Sequence, residues 1–572
     1  MLTRSFTPYV AAALMALAAL FAPLPVRAFD AGAYLAARSA GMQDDFREAA
    51  TWFGRALAAD PENLYLMEGA TVAQIGIGRM EAAIEIARRL DQAGGKSQAA
   101  SLALIAGQAQ SGDFEAILAD IRAGRSVGRL MDQLLAGWAE LGAGRVSESL
   151  EVFDALIASP GLEVFGLYHK ALALASIGNF EAAERIFSGE EKGPIRIVRR
   201  GSLAHIQILS QLERNADAAE VLRNSFASES DPASASLLAR LEGGETLAYD
   251  VARTASEGIA EVFFTLGVAL NGEAADSYTL LYSRIAAWLR PDHGDAALMS
   301  AGMLENQRQF ELATEVYAGV GPETDSHIPA EVGRARALYG AGDSEGAIAV
   351  LRDLAGRYPD VFTIHLSLGD TLRRAERWAE ATEAYTAALD LVEEPVAEGY
   401  WAVYYSRAIT LERQKIWPPA EADFRRALAL NPGQPQVLNY LGYSFLERRE
   451  NIEEAMEMIE RAVAASPESG YIVDSLAWGL FVLGRYEEAV EPMERASLLE
   501  PVDPVVTDHL GDVYWAVGRQ MEARFQWRRA LSFEPEEKDA NRIRRKLEIG
   551  LDAVLEEEGA DPLRPVDAAV RN

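Results

Sequence analysis

No cysteine occurs anywhere in the 572-residue chain. That absence excludes disulfides, thiolate metal centres, a thiol nucleophile and a mature N-terminal Cys that could accept a lipid. Histidine is scarce as well. His169, His205, His293, His327, His365 and His509 are scattered with no His-Glu-x-x-His or comparable spacing, so no metal site is expected. Positive charge is in deficit, with 54 Lys and Arg against 86 Asp and Glu, giving a formal charge of −32. A field of that sign repels nucleic acid and anionic lipid surfaces, and neither is expected as a partner.

What is present is the composition of folded protein, 49% hydrophobic and 24% charged, in a chain too long for one core. The N-terminus, MLTRSFTPYVAAALMALAALFAPLPVRAFD, places Arg4 before 13 apolar residues at 10–22, then Pro23, Pro25 and the tripeptide Val26-Arg27-Ala28. Charged, apolar and small-residue regions in that order predict a secretory signal cleaved after Ala28. The apolar run falls short of the roughly 20 residues that span a hydrocarbon core. The mature chain would start at Phe29 and, having shed Arg4 and Arg27 but no acid, carry −34. It is expected in a bacterial periplasm without stable membrane insertion, with peripheral association at an outer membrane left open.

Four stretches invite a catalytic or ligand-binding reading and fail it. Gly342-Asp343-Ser344-Glu345-Gly346 has the Gly-x-Ser-x-Gly order, but that chemistry needs a strand-to-helix elbow and no strand pattern precedes it. Gly95-Lys96-Ser97 resembles the end of a phosphate loop, yet Leu90 stands where its first glycine belongs. The acid runs Glu393-Glu394 and Glu556-Glu557-Glu558 lack the alternating ligands of a calcium loop and read as solvated faces. No catalytic constellation and no cofactor are expected.

Repetition is the positive signal. RRALALNP at 425–432 returns as RRALSFEP at 528–535, and Pro432, Pro467, Pro501 and Pro535 are 35, 34 and 34 residues apart. In the same register stand Ala427, Ala462, Ala496 and Ala530, and again Ala420, Ala455, Ala489 and Ala523. Upstream of them lie Leu441-Gly442, Leu476-Ala477, Leu510-Gly511 and, earlier, Leu368-Gly369. Each unit therefore predicts two amphipathic helices that touch at small residues, with Phe424, Ile459, Met493 and Trp527 filling the adjacent space. Proline stops the second helix. The extra residue of the 35-residue unit falls in RREN at 448–451.

This pattern resembles the tetratricopeptide repeat: Leu510, Gly511, Tyr514, Ala523, Trp527, Ala530 and Pro535 carry nearly all its marks. Ala381-Tyr385-Ala388, Ala420-Phe424-Ala427-Pro432 and Ala49-Phe53-Ala56-Pro61 repeat the second-helix signature. Weaker units stand at Ala183-Phe187, Ala313-Tyr317 and Ala347 with Pro359. The resemblance implies an all-α, right-handed solenoid of tandem helix-turn-helix repeats. The expected organisation is a signal at 1–28, an N-terminal array at 29–230, a joint at 231–257, a C-terminal array at 258–536, a capping helix at 537–558 and a mobile tail at 559–572. In the cap, Arg542, Arg544, Arg545 and Lys546 are expected to form the polar side.

In proteins of this family the first helices line an inner face that holds peptides. By register, that face here would carry Asn439 and Tyr443, then Tyr471, Asp474 and Trp478, then Asp508, Asp512 and Trp515. Aromatics would supply contact area and carboxylates would favour Arg or Lys on a protein or peptide ligand. Trp478 and Trp515 could equally be packing between repeats. Residues 430–530 are similar to proteobacterial envelope proteins of the same family, some of which dock carboxy-terminal processing proteases and deliver cell-wall hydrolases. The resemblance implies a non-enzymatic exported scaffold or adaptor, the alternative being a subunit of exopolysaccharide export or envelope assembly.

Overall fold

The computed structural model describes residues 30–190, 199–226, 232–393, 396–560 and 562–563. The expected signal and most of the expected tail lie outside them. The described residues form 31 α-helices and no β-strand. No described helix is long and apolar enough to cross a membrane. The chain divides into two compact units, residues 1–364 and 365–572.

The helices pair as the repeat predicts. In the C-terminal unit the pairs are Trp401–Arg413 with Trp417–Leu430, Pro435–Arg448 with Ile452–Ala465, Gly470–Val482 with Tyr486–Leu499, and Pro504–Ala516 with Gln520–Leu531. Both alanines of each second helix, from Ala420 and Ala427 to Ala523 and Ala530, are fully buried. The reason for small residues opposite them is steric. A Cβ on Gly511 would sit 2.4 Å from the Trp527 ring, and one on Gly442 would sit 2.8 Å from Ile459 and 2.9 Å from the Ala455 carbonyl. The 35-residue unit absorbs its extra residue by placing Arg449 and Asn451 in left-handed backbone conformations. Two sharp turns thereby replace the usual glycine.

The prolines have a role beyond stopping helices. Arg461 donates to the Pro432 carbonyl at 2.9 Å, Arg495 to that of Pro467 at 2.8 Å and Arg529 to that of Pro501 at 2.5 Å. Each arginine stands just before the second alanine of its unit. A carbonyl past a helix end has no intrahelical donor, and the next repeat supplies one. Arg89 makes the same bond to Pro61 in the N-terminal unit.

That unit begins as helix pairs, Ala31–Met42 with Phe46–Ala59, Leu64–Gly76 with Met80–Gln92, and so on to Asn215–Phe226. The stretch expected as a joint is packed into the same unit. Helix Pro232–Glu242 leads to an extended segment held on helix Arg199–Gln211: Leu247 N–H donates to Ser210 Oγ at 2.8 Å and Asp250 N–H to Gln207 Oε1 at 3.0 Å. The signature fades there because the chain stops pairing helices and crosses over. It then turns back on itself. Helix Ala255–Leu270 packs against Arg129–Gly142 and Glu163–Ser176, and helix Asp276–Leu289 against Leu64–Gly76 and Gln98–Ser111. Gly258 lets the backbone approach Trp138, where a Cβ would meet the indole at 2.2 Å. Arg284 donates twice to the Gly76 carbonyl, at 3.0 and 2.8 Å.

At the centre of this contact Glu261 has no exposed side-chain surface; Arg200 lies 2.5 Å from it and His293 3.3 Å. Burial alone would raise its carboxyl, but Arg200 and His293 outweigh that and hold it well below the usual carboxylate range. A buried charge persists only when paired in this way. The first helices of the N-terminal array therefore spend much of their surface on the chain's own returning helices.

The expected cap is two helices, Glu537–Ile549 and Leu551–Glu557, broken at Gly550. Gly550 has φ +86°, and a Cβ there would meet Trp515 at 2.5 Å. Ile543, Leu551 and Val554 are buried as their spacing predicts. Lys546 is not on the polar side: it is wholly buried. Of the tail, Leu563 packs against the C-terminal core.

Candidate functional site

Successive first helices of the C-terminal unit present equivalent positions at intervals of 34 or 35 residues, so Asn439, Asp474 and Asp508 fall at one position and Tyr443, Trp478 and Asp512 at another. The helices put these side chains toward the next first helix. Asp474 meets His509, Nδ1 to the carboxylate oxygens at 3.0 and 3.1 Å. Asp508 and Asp512 both meet Lys546 of the cap.

This geometry corrects the expectation of eight exposed groove residues. Asp474, Asp508, Asp512 and Trp515 are buried, because the positions lie between neighbouring helices and a buried carboxylate must find a cation or donor. Trp515 gives its indole N–H to Asp552 at 2.7 Å and is a packing residue. Burial and the Asp512 charge push the Asp508 carboxyl up, against the pull of Lys546. Asn439, Tyr443 and Trp478 are half-buried, and Tyr471 is 56% exposed at the start of its helix.

Around Tyr443 and Trp478 the structure assembles groups that the sequence reading missed. Tyr440 donates to Glu412 at 2.9 Å. Glu447 is hydrogen-bonded to Tyr443. His509 stacks on Trp478 with centroids 4.0 Å apart and planes 14° from parallel, and Trp478 stacks in turn on Phe481 at 4.8 Å. The signal for two of these was available, since Glu412 and Glu447 are 35 residues apart and so share a register position.

The patch is acidic, with the exposed Arg413 3.9 Å from Glu412 as a nearby cation. Glu447 as a whole is exposed, yet the burial its carboxyl feels, followed by the Glu412 charge, pushes it up. Burial and Glu447 likewise raise the Tyr443 phenol. Burial pulls the His509 imidazole down, but Asp474, Asp508 and Asp512 outweigh that and hold it above its ordinary value. The carboxylates of Glu412 and Glu447 with the phenols beside them form a surface that accepts hydrogen bonds from a cation, while the Trp478 indole is taken up by its stacks on His509 and Phe481. The residues that the Gly-x-Ser-x-Gly order had raised do something simpler: Asp343 caps helix Ser344–Arg357 by accepting from Gly346 N–H at 2.9 Å.

Comparison with known proteins agrees with the repeat. Residues 34–97, 134–194, 332–394 and 405–470 match the family model of the tetratricopeptide repeat. Over 186 residues the chain is 28% identical to a TPR repeat-containing protein of Pseudomonas aeruginosa, a match that takes in 32% of this chain and 30% of that relative's length. Among solved structures it is similar to the APC/C hetero-tetramer Cut9-Hcn1, at 14% identity and TM-score 0.38 over 95% of this chain and 99% of that one. It is also similar to MamA, at 21% identity and TM-score 0.27 over 29% and 94%. A thermophilic TPR protein of Thermus thermophilus follows at 22% identity and TM-score 0.28 over 33% and 99%. Repeats of this type are thus present in both units, and they point to protein–protein interaction.

Proposed function

We propose that this chain is an exported, non-catalytic adaptor that holds a protein segment bearing Arg or Lys against the first-helix face of its C-terminal unit. The observation that carries the reading is the patch of Glu412, Tyr440, Tyr443, Glu447 and Trp478. There two carboxylates share a register position at the surface, where the exposed Arg413 lies 3.9 Å from Glu412, while the deeper Asp474, Asp508 and Asp512 are paired with His509 and Lys546. The N-terminal unit is the weaker candidate, since its returning helices cover much of the corresponding face. Export follows from the order of regions in residues 1–28, and the finer role, docking a periplasmic carboxy-terminal processing protease and its cell-wall hydrolase substrates, rests on the likeness of residues 430–530 to envelope proteins.

A photo-crosslinking residue placed at Tyr443 in cells tests this. The expected result is a periplasmic partner whose crosslinked peptide contains Arg or Lys, with yield falling as salt rises, because exposed charges are screened over about 8–10 Å. Crosslinking that persists unchanged in Glu412→Lys with Glu447→Lys would place the binding surface elsewhere.

A further inference from the structure

The N-terminal unit contains a cleft of about 480 Å3, within the range of roughly 300–1,000 Å3 typical of ligand sites. It exists because the chain turns back. Helices Ala31–Met42, Phe46–Ala59 and Leu64–Gly76 form two sides, and helix Asp276–Leu289 closes the third with Ser277, Tyr278 and Leu281.

The floor is apolar and preformed. Phe46, Phe53, Val72 and Leu281 line it. The Phe53 ring is held between two glycines, with a Cβ on Gly69 falling 2.3 Å and one on Gly41 3.5 Å from it. Tyr65 and Tyr278 stand at the walls with part of each ring open.

The polar groups are unevenly charged, with Asp44, Asp45 and Glu68 against the single Arg38. Asp45 is partly committed, accepting Glu48 N–H at 3.1 Å as the cap of its helix. Asp44 is not. It adopts φ +53°, a left-handed conformation uncommon for a residue other than glycine. Its carboxyl is pushed up by burial and by the neighbouring Asp276, with a hydrogen bond from Ser277 opposing this. Glu68 is exposed and makes no ion pair among the described residues. The cleft thus joins aromatic walls to a lining of three carboxylates and one arginine, a surplus of negative charge that a cation would complement.

We propose that this cleft binds an organic cation on an apolar body, its ammonium or guanidinium between Asp44 and Glu68 and its stem over Phe53 and Tyr65. A Lys or Arg side chain next to an apolar residue in a peptide has this chemistry, and so has a free amphiphilic amine. The site is separate from the C-terminal patch and stands without it. Charge complementarity selects the head group and the aromatic walls the body, since a cation over a tyrosine face gains further attraction.

Titration of the mature chain with phenethylammonium, 3-phenylpropionate and N-acetyl-Phe-Lys-amide, followed by calorimetry and saturation-transfer NMR, tests the proposal. Both cations should bind, and the carboxylate at least about tenfold more weakly. Glu68→Lys and Tyr65→Ala alter exposed residues, so circular dichroism should show the parental fold while cation affinity drops about tenfold in each. Glu487→Lys, exposed on helix Tyr486–Leu499 and outside both sites, should leave it unchanged. Tighter binding of the peptide than of the amine assigns the cation to a protein segment, and the reverse order to a free amine. Equal binding of 3-phenylpropionate, no binding of either cation, or cation affinity unchanged in both Glu68→Lys and Tyr65→Ala would overturn it.

Discussion

Lys546 holds its ammonium 2.6 Å from the Asp512 carboxylate, and no part of its side chain is exposed. Asp508 takes the same ammonium at 2.7 Å, and Asp512 also accepts the Trp527 indole N–H at 2.9 Å. One cation from the cap therefore neutralises two carboxylates of the last repeat, with Arg542 adding a second cation 3.6 Å from Asp512.

Removing that cation strands buried charge. Lys546→Met should cost about 3–5 kcal/mol, the range for breaking a buried pair from one side. Adding Asp508→Asn and Asp512→Asn should recover much of the loss, because no bare carboxylate is left. Urea unfolding with hydrogen exchange over residues 537–557 reads both. A single variant that unfolds like the parent would show that the cap is seated by its apolar residues alone.

His509 gives a pH dependence with a definite sign. Its folded proton affinity is raised by Asp474, Asp508 and Asp512 in spite of burial, so its contribution is complete below the unfolded value of about 6.5. It is lost as pH climbs through the higher folded value. Melting of the chain between pH 6 and 9 should therefore show a fall in stability toward alkaline pH that His509→Gln removes. A parallel fall in both proteins would assign it to another group.

The helix contacts set a steric limit. Ala462 and Ala496 are fully buried, and Leu at either should destabilise the repeats by roughly 1–3 kcal/mol through overpacking. Gly442→Ala should act in the same direction, since its Cβ would press on the Ala455 carbonyl, which cannot swing aside as a side chain can. Ala464 is exposed on the same second helix as Ala462, and Leu there should change stability by less than about 0.5 kcal/mol. Chemical denaturation of the four variants separates these cases.

The positions that obey a short period were legible in the sequence, and those that depend on which helix comes next were not. Ala420, Phe424 and Ala427 declare their helix face by spacing alone, and all three are fully buried. Lys546 sits among Arg542, Arg544 and Arg545, and nothing in a run of four basic residues tells which one turns inward. Its partners lie 34 and 38 residues away. The register found Asp474 and Asp508 correctly as first-helix residues, but whether such a position faces a groove or a neighbour depends on the His or Lys that the neighbour offers. The return of helices 255–289 onto the N-terminal array has no local mark at all. Gly258, which permits it, looks like any helix glycine until Trp138 is seen against it.

The same distinction separates the aromatic variants of the C-terminal unit. Tyr443→Ala and Glu447→Lys change groups at the rim, and each should leave helicity and cooperative melting largely intact while abolishing capture of a segment rich in Arg or Lys. Trp515→Ala should behave differently, because its ring is buried and its N–H holds Asp552. Truncating a buried Trp typically costs about 3–5 kcal/mol, and the expected signature is loss of protection at residues 551–557 before any change in binding. Trp478 lies between these cases, since its indole carries His509 on one stack and Phe481 on another. Trp478→Ala should lower stability and capture together, whereas Trp478→Phe, which keeps an aromatic face, should restore the first more than the second. Circular dichroism melting beside a fluorescence anisotropy titration with a labelled Arg- and Lys-containing peptide decides it. If Tyr443→Ala melts like Trp515→Ala, the rim is core and the proposed surface fails. If Tyr443→Ala and Glu447→Lys both fold and bind as the parent does, capture belongs to another face of the chain.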